Sequence, residues 1–177
     1  MSAREGTGDR VILFAYVGPP EVRARSLGAP GGAPIGDGSA LLAWMRGAAS
    51  EVAREGGWAT YVVDAAGQLV VAPRRSEHVA CAGGAAVRAA GEVRFDARGD
   101  VVEVTNNSTG YCPDESCWGS VREALDRAGL RGPSTFTVAV RFRRCNACGA
   151  RNLVKEAWYR CALCDAELAA AWNFCDA

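Results

Sequence analysis

Apolar and polar positions along the chain fall into two recurring periods. The run RVILFAYV at 10–17 is almost continuously apolar and predicts a buried strand. From 18 to 38 the pattern dissolves into Gly, Pro and Ala, which predicts a long loop. A helical period follows. Ser39 can cap a helix in which Leu41, Met45, Ala48 and Val52 share one face, and EGG at 55–57 ends it. Two pairs of apolar stretches then read as hairpins: WATYVVD and QLVVAP flank AAG, and AAVRAAGEVRFD and DVVEVTN flank ARG.

The loop NSTGYCPDES leads to a second helix beginning near Ser116, with Trp118, Val121, Leu125 and Ala128 as its apolar stripe and Gly129 as its C-cap. TFTVAVRFRRC then alternates as a strand, placing Phe136, Val138, Val140 and Phe142 on one face, and runs directly into Cys145. In the tail, Leu168, Trp172 and Phe174 fit one helical turn. They are expected to pack back on the rest, because three large apolar groups are costly in water. The order of elements is mixed and not a regular βαβ alternation. The expected fold class is therefore α+β, a mainly antiparallel sheet with two helices in residues 1–140, followed by a small unit and tail in 141–177.

Composition supports an ordinary core: 177 residues are 49% hydrophobic, and Lys plus Arg balances Asp plus Glu at 20 each. That balance removes the overall attraction a nucleic-acid binder usually shows. The charge is uneven, however, since Arg141, Arg143, Arg144, Arg151, Lys155 and Arg160 face only Glu156 within 141–160. No charged n-region with an apolar h-region opens the chain, and no apolar run has membrane-spanning length. A soluble chain in the cytoplasm is expected, with its 8 cysteines as thiols and not disulfides.

The sharpest chemical signal is CNACGARNLVKEAWYRCALC at 145–164, in which Cys145, Cys148, Cys161 and Cys164 form two CxxC pairs. Each CxxC turn places two sulfurs on one edge of a tetrahedron with backbone N–H groups aimed at them, and two turns complete it. Gly149 relieves the backbone after the first turn, Asp165 stands at the matching position of the second, and a short hairpin over roughly 151–159 is expected to join them. The segment resembles the zinc-ribbon family. Four thiolates close the coordination sphere, so one structural Zn2+ is expected, without catalysis at the metal. The ribbon either staples a hairpin that could not fold alone, or also displays Arg143, Arg144, Arg151, Lys155, Trp158 and Tyr159 to a partner. A protein partner is expected, with nucleic acid a further possibility through the basic residues. Cys175 lies outside this spacing and needs no role.

A second constellation runs from His78 to Cys117. His78, then Gly83 and Gly84, then AAGE ending at Glu92, then Ser108, Tyr111 and Pro113 resemble an H…GG…AAGE…SGHYxP pattern of plant IQ-motif calmodulin-binding proteins and bacterial effector-like proteins. This chain carries Thr109 and Gly110 where the pattern has Gly and His. Three readings of these residues remain open. His78, Glu92, Ser108, Tyr111 and Cys112 could line a catalytic cleft for group transfer or hydrolysis, possibly deaminase-like, although HxE is absent. His78, Cys81, Cys112 and Cys117 could hold a second zinc. Or the histidine, glycines and cysteines serve turns and core packing alone. The expected function is a zinc-binding, effector-like binding module, with a small enzyme as the alternative.

Overall fold

The computed structural model describes residues 11–174, so Arg10 and Cys175 lie outside the described residues. The two hairpins form where the turn residues place them. They are β2 (Trp58–Val63) with β3 (Leu69–Pro73), and β4 (Ala89–Phe95) with β5 (Val101–Val104). Their turns use one device. The Asp64 carboxylate accepts the N–H groups of Ala66 at 2.9 Å and Gln68 at 2.8 Å, and Asp96 accepts those of Arg98 and Asp100 at 2.9 Å each. Gly67 and Gly99 then take φ of +80° and +86°, which only a residue without a Cβ adopts at little cost.

β2 also pairs with β4, and a short strand β1 (Ala33–Ile35) pairs with β3, so the order is β1-β3-β2-β4-β5 with every pair antiparallel. The segment expected as a loop at 18–38 thus contains structure: α1 (Pro20–Ser26), started by a proline in its first turn, and then β1. Elements this short carry too few residues to show a period. The first long helix, α2 (Gly38–Gly47), is capped by Asp37 and not Ser39, with the carboxylate accepting the Ala40 N–H at 2.8 Å. It breaks at Ala48 and resumes as α3 (Ala49–Arg54), with Leu41 and Val52 buried as the period requires.

The sheet is covered on both faces. A one-turn helix, α4 (His78–Cys81), lies against β2 and β3, and the Val70 and Cys81 side chains meet over Gly32. A 3-10 turn at Glu115–Cys117 leads to α5 (Trp118–Arg127), which packs against β2, β3 and β4 with Val121, Ala124 and Leu125 buried. Gly129 follows at φ +64°, the expected C-cap conformation. Full burial of each Val, Leu or Phe side chain in such a core contributes about 1.5–3 kcal/mol.

Two apolar runs behave differently from their patterns. In 11–17 the chain makes a single antiparallel bridge, Phe14 with Val87; Phe14 is buried while Val11, Ile12 and Leu13 are exposed. The alternating run at 135–145 is not one strand. Thr137 and Val138 align with the end of β5, whereas β6 (Arg141–Arg144) leaves the sheet to pair with β7 (Arg151–Val154). Phe136 and Phe142 are buried, but Val138 is exposed.

The pivot between these halves is the side chain of Asn106, fully buried beyond β5. Its amide donates to the carbonyls of Val140 at 2.8 Å and Pro113 at 3.2 Å and accepts the Val140 N–H at 2.6 Å. The tail forms no helical turn. In irregular conformation it sends Leu168 to the small sheet, stacks Trp172 edge-on against Phe14 at 5.3 Å, and places Phe174 beside Cys112 and Phe142.

Candidate metal centre

The β6–β7 hairpin carries the first CxxC turn in its loop, and a bridge between Arg160 and Glu167 brackets the second. The expected hairpin over 151–159 is therefore replaced. β7 turns back on the strand that precedes the first turn, and residues 155–158 make a tight reversal with Glu156 and Ala157 at φ of +51° and +57°.

The two CxxC turns are copies of one another. Cys145 N–H bonds to the Ala150 carbonyl and Gly149 N–H to the Cys145 carbonyl, both at 2.8 Å; Cys161 pairs with Ala166 at 2.8 Å and Asp165 with Cys161 at 2.9 Å. Gly149 and Asp165 both have left-handed backbones, at φ +75° and +59°. Glycine meets that demand by lacking a Cβ, whereas Asp165 is braced by an ion pair with Arg160 at 2.8 Å.

The sulfurs converge accordingly. All four lie within 4.8 Å of one another, and Cys145 to Cys164 and Cys148 to Cys161 are each 3.6 Å apart. A tetrahedron with metal–sulfur bonds of about 2.3 Å has edges of about 3.8 Å, close to the two 3.6 Å separations, so the cluster could hold one ion. Cys145 and Cys161 are buried, while Cys148 and Cys164 face outward.

Backbone dipoles prepare the thiols for a cation. The N–H groups of Cys164 and Leu163 hold Cys161 down to about 6, and those of Cys148 and Ala147 lower Cys145. At Cys148 the N–H of Ala150 also pulls downward, but the neighbouring sulfurs and burial outweigh it and push the thiol up to about 12. A divalent ion relieves that mutual repulsion. Four protein sulfurs leave no position for a substrate, so the site can hold a metal and order the hairpins but has no open coordination for chemistry.

Three supporting residues carried no signal in the sequence. Asn152 is buried between the CxxC turns, donating to Cys161 Sγ at 3.6 Å and to the Ala150 carbonyl at 3.0 Å while accepting the Ala162 N–H at 2.9 Å. Asn173 exchanges hydrogen bonds with the Arg144 backbone at 2.7 and 2.8 Å. Arg143, expected on display, is only 6% exposed. Its guanidinium donates to the carbonyls of Phe142, Ala169 and Ala170 and lies over the Tyr159 ring at 5.9 Å. The bonds of Asn152 to Cys161, of Asn173 to Arg144 and of Arg143 to Ala169 and Ala170 join residues distant in sequence, so no local spacing marks them.

Of the second constellation, His78, Tyr111 and Cys112 meet three separate backbone carbonyls, and Glu92 meets a side chain. His78 Nε2 donates to the Gly91 carbonyl at 2.9 Å, and burial lowers its pKa below the usual histidine value. Glu92 accepts from Arg74 at 3.2 Å. Tyr111 is fully buried and donates to the Ala85 carbonyl at 2.7 Å. Cys112 contacts the Thr109 carbonyl at 3.4 Å with φ +46°, and its own carbonyl accepts Trp172 Nε1 at 2.8 Å. Burial pushes the Cys81 and Cys112 thiols up to about 12 and raises Cys117, which leaves all three protonated at neutral pH. Ser108 Oγ is buried without a hydrogen-bond partner.

His78, Cys81, Cys112 and Cys117 do not assemble into a second metal site. Among the described residues, the four-cysteine cluster is the only group of three or more His, Cys or carboxylate ligands brought this close. Cys81, Cys112 and Cys117 are instead each buried as free thiols.

The glycines of this stretch have geometric duties. Gly83 and Gly84, at φ +59° and +82°, close α4, and the Gly84 carbonyl accepts Arg23 at 3.1 Å. A Cβ on Gly91 would stand 2.0 Å from the Thr105 carbonyl oxygen. That oxygen also accepts the Tyr61 hydroxyl at 2.9 Å.

No helix of the described residues is long and apolar enough to cross a membrane. No protein-family model, curated protein or solved structure matches this chain, so its four-cysteine cluster is the feature from which function must be argued.

Proposed function

We propose that residues 145–164 form a zinc ribbon with one structural zinc, and that the chain is a cytoplasmic, effector-like binding module which meets a protein partner through this ribbon. The convergence of four sulfurs within 4.8 Å carries the reading. Thiolates alone select a soft or borderline tetrahedral ion, and zinc is the common one in cytosol. The described cysteines are all free thiols, in keeping with a reducing compartment.

The ribbon is more than a staple on this reading because apolar side chains stand outside it. Trp158 is 69% exposed and Leu163 77%, both in a small unit that has few large side chains to spare for solvent. Native mass spectrometry of the purified chain tests the metal half of the proposal. One zinc per chain is expected. A chain that retains full structure with no metal, or that binds two, would overturn it.

A further inference from the structure

Leu153, Trp158 and Leu163 line one groove of about 790 Å³ on the four-cysteine unit, together with Arg151, Lys155, the Arg160–Asp165 ion pair, Cys161 and Cys164. We infer that this groove takes an acidic, leucine-bearing segment of a partner protein; the inference rests on the reading of the ribbon as a binding unit and adds the chemistry of what it binds.

The apolar part of the argument is exposure. Leu153 is 41% exposed, beside the far more open Trp158 and Leu163, so the groove presents two aliphatic side chains and an indole to water. Aliphatic partners cover such a surface, and an exposed indole is among the side chains most often found to dominate protein contacts.

The charged part comes from sorting the basic residues by what they already meet. Arg143 is consumed by buried carbonyls, Arg141 is paired with Glu115 at 3.2 Å, and Arg160 is paired with Asp165. Cys161 Sγ, in the same lining, accepts from the Asn152 amide and from the Leu163 N–H at 3.4 Å. Three basic residues remain, of which Arg144 lies outside the groove, while Lys155 and Arg151 line it. Neither meets a carboxylate among the described residues, and Arg151 donates only to the Thr109 carbonyl. Two cations without a carboxylate partner, beside three apolar groups, are complementary to carboxylates interleaved with leucines. A phosphate backbone, which is held by many neutralised contacts, finds too few cations here.

The experiment is a fluorescence anisotropy titration of the full chain. Its probes are a labelled peptide alternating leucine with glutamate, a counterpart alternating leucine with glutamine, and a single-stranded oligothymidylate. The glutamate peptide is expected to bind at least about tenfold more tightly than the glutamine peptide. That advantage should shrink with added salt, and Trp158→Ala and Lys155→Glu should each weaken binding by about tenfold while retaining the wild-type metal count. The inference is overturned by equal affinity for both peptides, by tighter binding of the oligothymidylate, by absence of saturable binding, or by a concentration-dependent dimer that Trp158→Ala abolishes. The metal count separates the two levels. A folded chain without zinc overturns the ribbon reading as well, whereas a zinc-loaded chain that ignores the glutamate peptide overturns the acidic-segment inference alone.

Discussion

Asn106 and Val140 exchange two hydrogen bonds, side-chain Oδ1 accepting the Val140 N–H at 2.6 Å and Nδ2 donating to the Val140 carbonyl at 2.8 Å. The amide takes the place a neighbouring strand would occupy, at the point where the chain leaves the large sheet for the small one. Asn106 is fully buried, so no water can substitute for either bond.

Asn106→Leu should therefore lower stability by roughly 3 kcal/mol, since it removes these bonds and strands buried backbone groups. Urea unfolding followed by far-UV circular dichroism measures it. A loss below about 1 kcal/mol, the worth of a single ordinary hydrogen bond, would mean that the pivot is not held by this amide.

Two glycines should respond in opposite ways. Gly91→Ala drives a Cβ to 2.0 Å from the Thr105 carbonyl oxygen, and because that neighbour is backbone it cannot swing aside. A cost on the order of 3 kcal/mol is expected. Gly119 lies in α5 with nothing within 4 Å of its Cβ position and no positive φ, so Gly119→Ala should gain up to about 1 kcal/mol from helix propensity. Thermal unfolding of the two variants beside the parent gives both signs in one experiment.

His78 should impose an acid-side pH dependence. Its folded pKa lies below the ordinary value of about 6.5, chiefly through burial, so on acidification the unfolded chain takes up the proton first. The stability it contributes is present above that ordinary value and is lost as pH falls from there through the folded pKa. Unfolding free energies measured across this window should decline with acid in the parent and decline less in His78→Gln; identical slopes would remove His78 as the cause.

Metal removal should be local in its first effect. Chelation is expected to expose the amides of Cys145, Cys161 and Leu168 to hydrogen exchange while the amides of β2 and β4, deep in the large sheet, keep their protection. Cys161→Ser should do the same without chelator, and acid should release the ion because protons compete for the sulfurs. Unchanged protection around Cys161 after complete metal removal would contradict a structural site.

What could be read from sequence is what neighbours in sequence decide. Asp64 with Gly67, Asp96 with Gly99, and Cys145 with Cys148 each act within a few residues, and both turns and sulfurs stand where their spacing puts them. The same holds for the antiparallel α+β order. What escaped was settled at long range. Leu13 looks like core and is exposed because only Phe14 in that run meets a strand partner. Arg143 looks like surface and is buried because the carbonyls of Ala169 and Ala170 fold over it. His78, Tyr111 and Cys112 share a pattern with reactive groups, yet the pattern is blind to the three different backbone oxygens they meet.

The edge-on contact of Phe14 with Trp172 also imposes an order of events during synthesis. Phe14 is synthesised before both CxxC turns, and the indole that packs on it follows only after them. Until then that ring lacks its edge-on partner. Covering of the Phe14 ring thus waits on the segment that carries the four cysteines.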